Sequence, residues 1–236
     1  MGFGNVGQKW TPASFATYVN SLSITRPWKG VTIHHTADPS LASRPTGFTV
    51  QHIRNIQHFY QYQKSPGWSS GPHLFTDENE VFGMCPLNER GIHAVSFNAT
   101  YLGIEMLGDY DVEDPTTGRG KQVIDTSVAA TVTLLRKLGL PANATTVNFH
   151  RDDTTTRKSC PGRRIQKAWF LGLVQAAMAG GAAPSPTPIP VTVLPIGPAV
   201  VLPDGTRFGT NPGETEEQGG RTVVAAYSFG DRKSVV

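Results

Sequence analysis

The chain has 236 residues, 38% of them apolar and 17% charged, with a formal net charge of +3 and a pI near 8.9. That length holds one sizeable core plus an appendage, or two small domains, in a composition ordinary for a globular protein. No stretch approaches the ~18 apolar residues of a membrane-spanning helix. Lys and Arg are scattered rather than run together, which argues against nucleic acid and leaves a mild attraction to anionic surfaces.

At the amino end, Met1–Trp10 is Gly-rich and polar, with no charged region followed by an apolar one. No secretory signal is visible there, and Val6 stands where a myristoylation signal has Ser or Thr. Cys85 and Cys160 are too few for a disulfide framework. Synthesis and folding in a reducing cytoplasm are expected.

Further along, Ser14–Leu22 reads as a short helix and Gly30–His34 as a strand entered from Pro27-Trp28. Val50–Gln63 carries Ile53, Ile56, Phe59 and Tyr60 at helical spacing. Leu74–Thr76 and Val81–Met84 read as strands joined by the turn Asp77-Glu78-Asn79, and Leu102–Met106 as an inner strand. Thr126 or Ser127 is placed to cap a helix running to Leu138, with Val128, Val132, Leu135 and Leu138 as its apolar stripe and Gly139 as its stop. Thr146–Phe149 reads as a strand and Arg163–Ala179 as the last helix. Strands interleaved with helices predict an α/β domain with a single mixed central β-sheet flanked by helices.

Composition changes at Gly180, where Gly-Gly-Ala-Ala-Pro-Ser-Pro-Thr-Pro-Ile-Pro begins, an extended linker by its proline content. The expected division is therefore a domain over residues 1–180 and a Pro-rich linker with a small tail over 181–236. Within the tail, Val191–Leu202 and Arg221–Phe229 read as short strands, with Pro203–Gly205 as a turn.

Three stretches carry chemistry: Ile33-His34-His35-Thr36-Ala37 at a strand end, Leu102-Gly103-Ile104-Glu105-Met106 on the inner strand, and Phe149-His150-Arg151-Asp152 leading to Arg157-Lys158-Ser159-Cys160-Pro161-Gly162. Imidazole and thiolate are preferred zinc ligands, and a catalytic zinc keeps three protein ligands and one open position. His34, His150 and Cys160 make such a set. Successive strand residues face opposite ways, so His34 and His35 do not both reach one ion, and parity alone leaves the choice open. Taken singly, each residue has an ordinary reading: a core or surface histidine, a solvated loop lysine at Lys158, a small buried hydrophobe at Cys85. Glu105 is less ordinary, a carboxylate in an apolar strand.

In this order and spacing the motifs resemble the zinc N-acetylmuramoyl-L-alanine amidases, a family that includes phage T7 lysozyme, bacterial amidases of muropeptide recycling and the peptidoglycan recognition proteins. The resemblance spans residues 28–172. It rests on Val31–Ala37, Gly71-Pro72-His73-Leu74-Phe75, Ile92-His93-Ala94, Gly103-Ile104-Glu105, and His150 through Gly162. It implies one Zn²⁺ per chain, with His34 rather than His35 as the first ligand and His150 and Cys160 as the others. Glu105 and Lys158 take catalytic positions, and His93 and His73 substrate-binding ones. A catalytic tyrosine of the phage and recognition-protein branches falls at Pro72, which leaves Glu105 as the general base.

The implied reaction is hydrolysis of the amide between N-acetylmuramic acid and L-alanine, and the alternative is a recognition domain that binds muropeptides without cutting them. Peptidoglycan or muropeptides are the expected partners of a monomer that uses neither nucleic acid nor stable membrane insertion. A cytoplasmic protein acting on the cell wall, such as a phage endolysin, fits these expectations.

Overall fold

Three consecutive β-branched residues, Val31, Thr32 and Ile33, favour an extended chain, and in the computed structural model they form the middle of β2, Gly30–His35. The structure describes residues 2–180 and two short strands beyond, and the chain divides into the units Met1–Pro188 and Ile189–Val236. In the first unit β2 joins β1 (Lys9–Trp10), β3 (Leu74–Thr76), β4 (Val81–Gly83), β5 (Tyr101–Met106) and β6 (Val147–Phe149). The sheet order is β1-β4-β3-β5-β2-β6. β2 runs parallel to both β5 and β6, and β3 parallel to β5, while β4 pairs antiparallel with β3 and β1. The single mixed sheet is the one expected.

Register brings the chemistry to one edge. Ile33 of β2 aligns with Ile104 of β5 and Phe149 of β6, and His34 aligns with Glu105. Since β6 is parallel to β2, the next residue along it, His150, arrives beside His34. The carboxyl ends of parallel strands are where open α/β sheets place ligands.

Among the described residues the unit has four α-helices: α1 (Pro12–Ser21), α2 (Val50–His58), α3 (Gly118–Leu138) and α4 (Lys167–Met178). Ser127 of α3 meets Thr76 of β3 at 2.6 Å, hydroxyl to hydroxyl. This puts α3 on the sheet face that also carries Ile33, Ile104 and Met106, all fully buried. His34, Gly103 and Glu105 occupy the other face, since side chains alternate.

Several boundaries differ from expectation for local reasons. Thr126 and Ser127 do not cap α3; both are buried in its middle, Thr126 donating to the Glu78 carbonyl (3.1 Å) and Ser127 to the Val123 carbonyl (2.7 Å). The helix starts at Gly118, where a Cβ on Gly120 would come within 1.9 Å of the Asp114 carbonyl. Its stop at Gly139 is as read, with a left-handed φ of 66°. The Val50–Gln63 helix divides into α2 and a π-helical turn over Phe59–Gln63. α4 begins at Lys167 rather than Arg163, because the amides of Arg163 and Arg164 bond to Asp111 Oδ1 and the Tyr110 carbonyl. β1 has two residues, too few for any periodicity to show.

In the second unit Val200–Val201 (β7) pairs antiparallel with Arg207–Phe208 (β8). The linker expected after Gly180 and the strand expected at Arg221–Phe229 lie outside the described residues.

Candidate metal centre

His34 lies one residue before the end of β2 with 1% exposure, and its Nδ1 lies 3.0 Å from His150 Nδ1 and 3.7 Å from Cys160 Sγ. The ligand atoms of His34, His150 and Cys160 all fall within 4.8 Å of one another. Sequence distance is no obstacle, since 126 residues separate His34 from Cys160. With Zn–N near 2.0–2.1 Å, Zn–S near 2.3 Å and tetrahedral angles, the donor–donor edges would be roughly 3.3 Å for N–N and 3.6 Å for N–S. The observed edges come within roughly 0.3 Å of these values, so the residues present fit zinc.

The electrostatics of this donor set suit a cation. Burial is the first cause that lowers the His34 pKa well below its ordinary value, and the neighbouring His93 and His150 reinforce it. His150 falls to about 4, through burial and the Lys158 charge. Both imidazoles are thus neutral at pH 7 and keep the lone pair a metal needs. Burial and the nearby Glu105 push the Cys160 thiol up, so ionisation there calls for a positive partner. The amide of His35 already points at that sulfur, at 3.4 Å.

Glu105 stands beside the set, with Oε1 3.8 Å from His34 Nδ1 and 13% side-chain exposure. Burial raises its pKa to about 8, against the opposing pull of Lys158 and then Lys64. Lys158 lies exposed on the loop before Cys160. Lys64 is a group the sequence reading did not single out. Its Nζ sits 4.5 Å from the Trp68 ring centroid and 5.6 Å from that of Phe59. Nothing in its local sequence marks it, because its link to Glu105 is made only by folding. Asp153 was also missed: it accepts from the Ser96 amide (2.9 Å) and hydroxyl (2.7 Å), tying the loop after His150 to the loop after His93.

His93 and His73 are both brought near, yet neither is open to solvent, at 7% and 0% exposure. His93 Nδ1 is 3.0 Å from His34 Nε2, and its Nε2 is 3.0 Å from the Tyr101 carbonyl. His73 accepts at Nδ1 from the Gly103 amide (2.9 Å) and meets the Glu89 carbonyl at Nε2 (3.0 Å). A second cluster, His35 with Asp109 and Asp111, has metal-like spacing. There His35 Nδ1 accepts from the Tyr110 amide at 3.1 Å, which leaves the neutral ring its proton at Nε2. The two carboxylates are likewise engaged, Asp109 by the Asp111 amide and Asp111 by the Ser159 hydroxyl and the Arg163 amide.

A mixed sheet with a His/His/Cys donor set and a buried carboxyl group beside it at its parallel-strand ends is the architecture of a candidate metal centre. Residues 24–163 match the family model Amidase_2, N-acetylmuramoyl-L-alanine amidase. The match covers more than half of the 236 residues, and the chain belongs to that family.

Among solved structures, the chain is similar to an endolysin N-acetylmuramoyl-L-alanine amidase, LysCS from Clostridium intestinale, with 23% identity over 64% of this chain and 86% of that one at a TM-score of 0.47. It is also similar to Drosophila PGRP-LB, with 22% identity over 72% and 89% of the two chains and a TM-score of 0.48. The PlyG catalytic domain gives 18% identity over 70% and 88% with a TM-score of 0.48. No curated protein matches.

Proposed function

We propose that the chain is a zinc-dependent amidase that hydrolyses the bond between N-acetylmuramic acid and L-alanine in peptidoglycan, working as a lytic enzyme of the endolysin kind. The observation that carries this reading is the three-donor set of His34, His150 and Cys160 with Glu105 alongside. Structural zinc sites are normally closed by four protein ligands. His35 and His73, two histidines that could in principle supply a fourth, have their Nδ1 atoms engaged by backbone amides.

Zinc, when bound, supplies a Lewis acid for the amide carbonyl and makes water a stronger acid. The rest falls to side chains of this chain. His34, His150 and Cys160 would hold the ion. Glu105 takes a proton from the attacking water and returns it to the leaving nitrogen of L-alanine, a general base that becomes a general acid. The raised pKa of about 8 makes its carboxyl a competent proton donor in the second step. Lys158 places an ammonium where negative charge develops on the carbonyl oxygen. Every residue in these roles precedes residue 181, so we assign catalysis to residues 1–180.

The test is mass spectrometry of purified muropeptides digested with the full chain, with and without a chelator. Free L-alanine amino termini should appear in untreated protein, vanish on chelation and return with added zinc. Muropeptide binding without any cleavage would replace this reading with that of a recognition domain.

A further inference from the structure

The histidine reached from Ile92 was expected to touch substrate, yet its ring is 93% shielded and both of its nitrogens are taken by protein atoms. The Tyr101 carbonyl at its Nε2 can only accept, so the neutral His93 ring carries its proton there. Its Nδ1 is then a lone pair, and the 3.0 Å contact to His34 Nε2 is satisfied only if His34 donates. That in turn strips Nδ1 of His34 of its proton, and Nδ1 is the atom that faces His150 and Cys160. A single backbone carbonyl therefore sets the direction of the whole chain of hydrogen bonds.

The ring is held in place from behind. A Cβ on Gly103 would approach His93 Cγ to 2.7 Å and Cδ2 to 2.8 Å, so the ring lies against bare backbone of β5. Asn98 Oδ1 accepts from the amides of His93 and Ala94 at 2.7 and 2.8 Å, fixing the segment that carries the ring. His34 and His93 meet edge-on, with planes 87° apart.

We propose that His93 is a positioning residue for the metal ligand His34, selecting its Nδ1 as the ligating atom and fixing the ring's orientation, rather than a substrate contact. The proposal rests on the zinc-amidase reading only through the ligand set. Outer partners of this kind hold a ligating imidazole in one tautomer and raise its basicity.

The experiment measures zinc affinity of the full chain by competition with a chromophoric chelator, for wild type, His93→Phe and His93→Asn. Phe keeps a ring and loses the acceptor; Asn places an amide oxygen near the position of Nδ1. His93→Phe should bind zinc about 10–100-fold more weakly, and His93→Asn should recover most of that loss. Melting of the metal-free proteins separates a folding defect from a ligand defect, since a purely structural role would lower the melt without splitting Phe from Asn in zinc affinity.

Ring ¹⁵N NMR of zinc-loaded wild type provides a check that needs no variant and should show His34 bound through Nδ1 with a proton on Nε2. Binding through Nε2, or wild-type zinc affinity in both variants with a raised KM, overturns the proposal while leaving the amidase reading intact. Wild type that binds no zinc overturns both. Zinc weakened as stated in a protein that cleaves no muropeptide supports the positioning role and rejects only the catalytic reading.

Discussion

His34 and His35 are neighbours on one strand, both buried, both at its carboxyl end, and they are spent in opposite ways. His34 gives its Nε2 to a protein partner and turns Nδ1 toward His150 and Cys160, the other two members of the proposed ligand set. His35, on the other face, gives its Nδ1 to the Tyr110 amide, and its ring stacks near Tyr110 at 6.3 Å. Each is surrounded by groups with metal-like spacing. What separates them is which ring nitrogen a fixed backbone or side-chain group has already claimed. Proximity of donors is therefore a weaker guide to a metal site than the hydrogen-bond direction behind each donor.

The sharpest way to break that contrast is to remove one histidine at a time. His34→Ala or Cys160→Ala should lose zinc and cleavage together, down to background, measured by metal analysis and muropeptide digestion. His35→Phe should keep both. Zinc retained by Cys160→Ala with full activity would end the mechanism proposed for this site.

Next in size is the carboxylate that stands beside the His34 face without belonging to the ligand set. Glu105→Gln preserves shape and removes the base, so turnover should fall by about 10²–10⁴ with zinc still bound. Normal turnover in that variant places the base elsewhere. Lys158→Ala should cost about 10²–10³ in rate, again with zinc retained. It should also shift the pH profile. A base must be ionised, so kcat/KM rises with pH through the Glu105 pKa. Lys158 is the first of the charges that pull this pKa down, so its loss moves the acid limb to higher pH. A limb that stays in place separates the two residues.

The smallest effect belongs to the other face. His35→Phe leaves the buried Tyr110 amide without its acceptor, which should cost about 1–3 kcal/mol of stability in a denaturant melt. A change in zinc affinity there would dissolve the distinction between the two histidines.

Much of this was legible in the sequence, and the reason is register. Once Val31–Ile33, Leu102–Ile104 and Thr146–Phe149 are read as strands of one sheet, His34, Glu105 and His150 fall near a common edge. Elements failed to read where a residue answers to a distant partner. Thr126 and Ser127 look like caps because isolated hydroxyls compete for backbone, but here Glu78 and Thr76 occupy them. Gly118 and Gly120 look like helix breakers, yet the second is demanded by the carbonyl of Asp114. His93 and His73 could be placed in the right neighbourhood, but the Tyr101 carbonyl behind His93 and the Glu89 carbonyl and Gly103 amide that hold His73 are backbone groups, which carry no side-chain signature.

The proposed ligand set is drawn from distant parts of the first unit, with His34 and Cys160 separated by 126 positions. A contact of that span closes a long loop, and such contacts cost entropy before they give any return. The cage is then complete only after β2, β5 and β6 have paired, so an ion has little to hold in a half-folded chain. Stabilisation that arrives after the rate-limiting step slows escape from the native state and leaves the approach to it unchanged. In stopped-flow denaturant jumps, added zinc should lower the unfolding arm and leave the refolding arm where it was, making the metal a latch on the finished domain and not a seed for it.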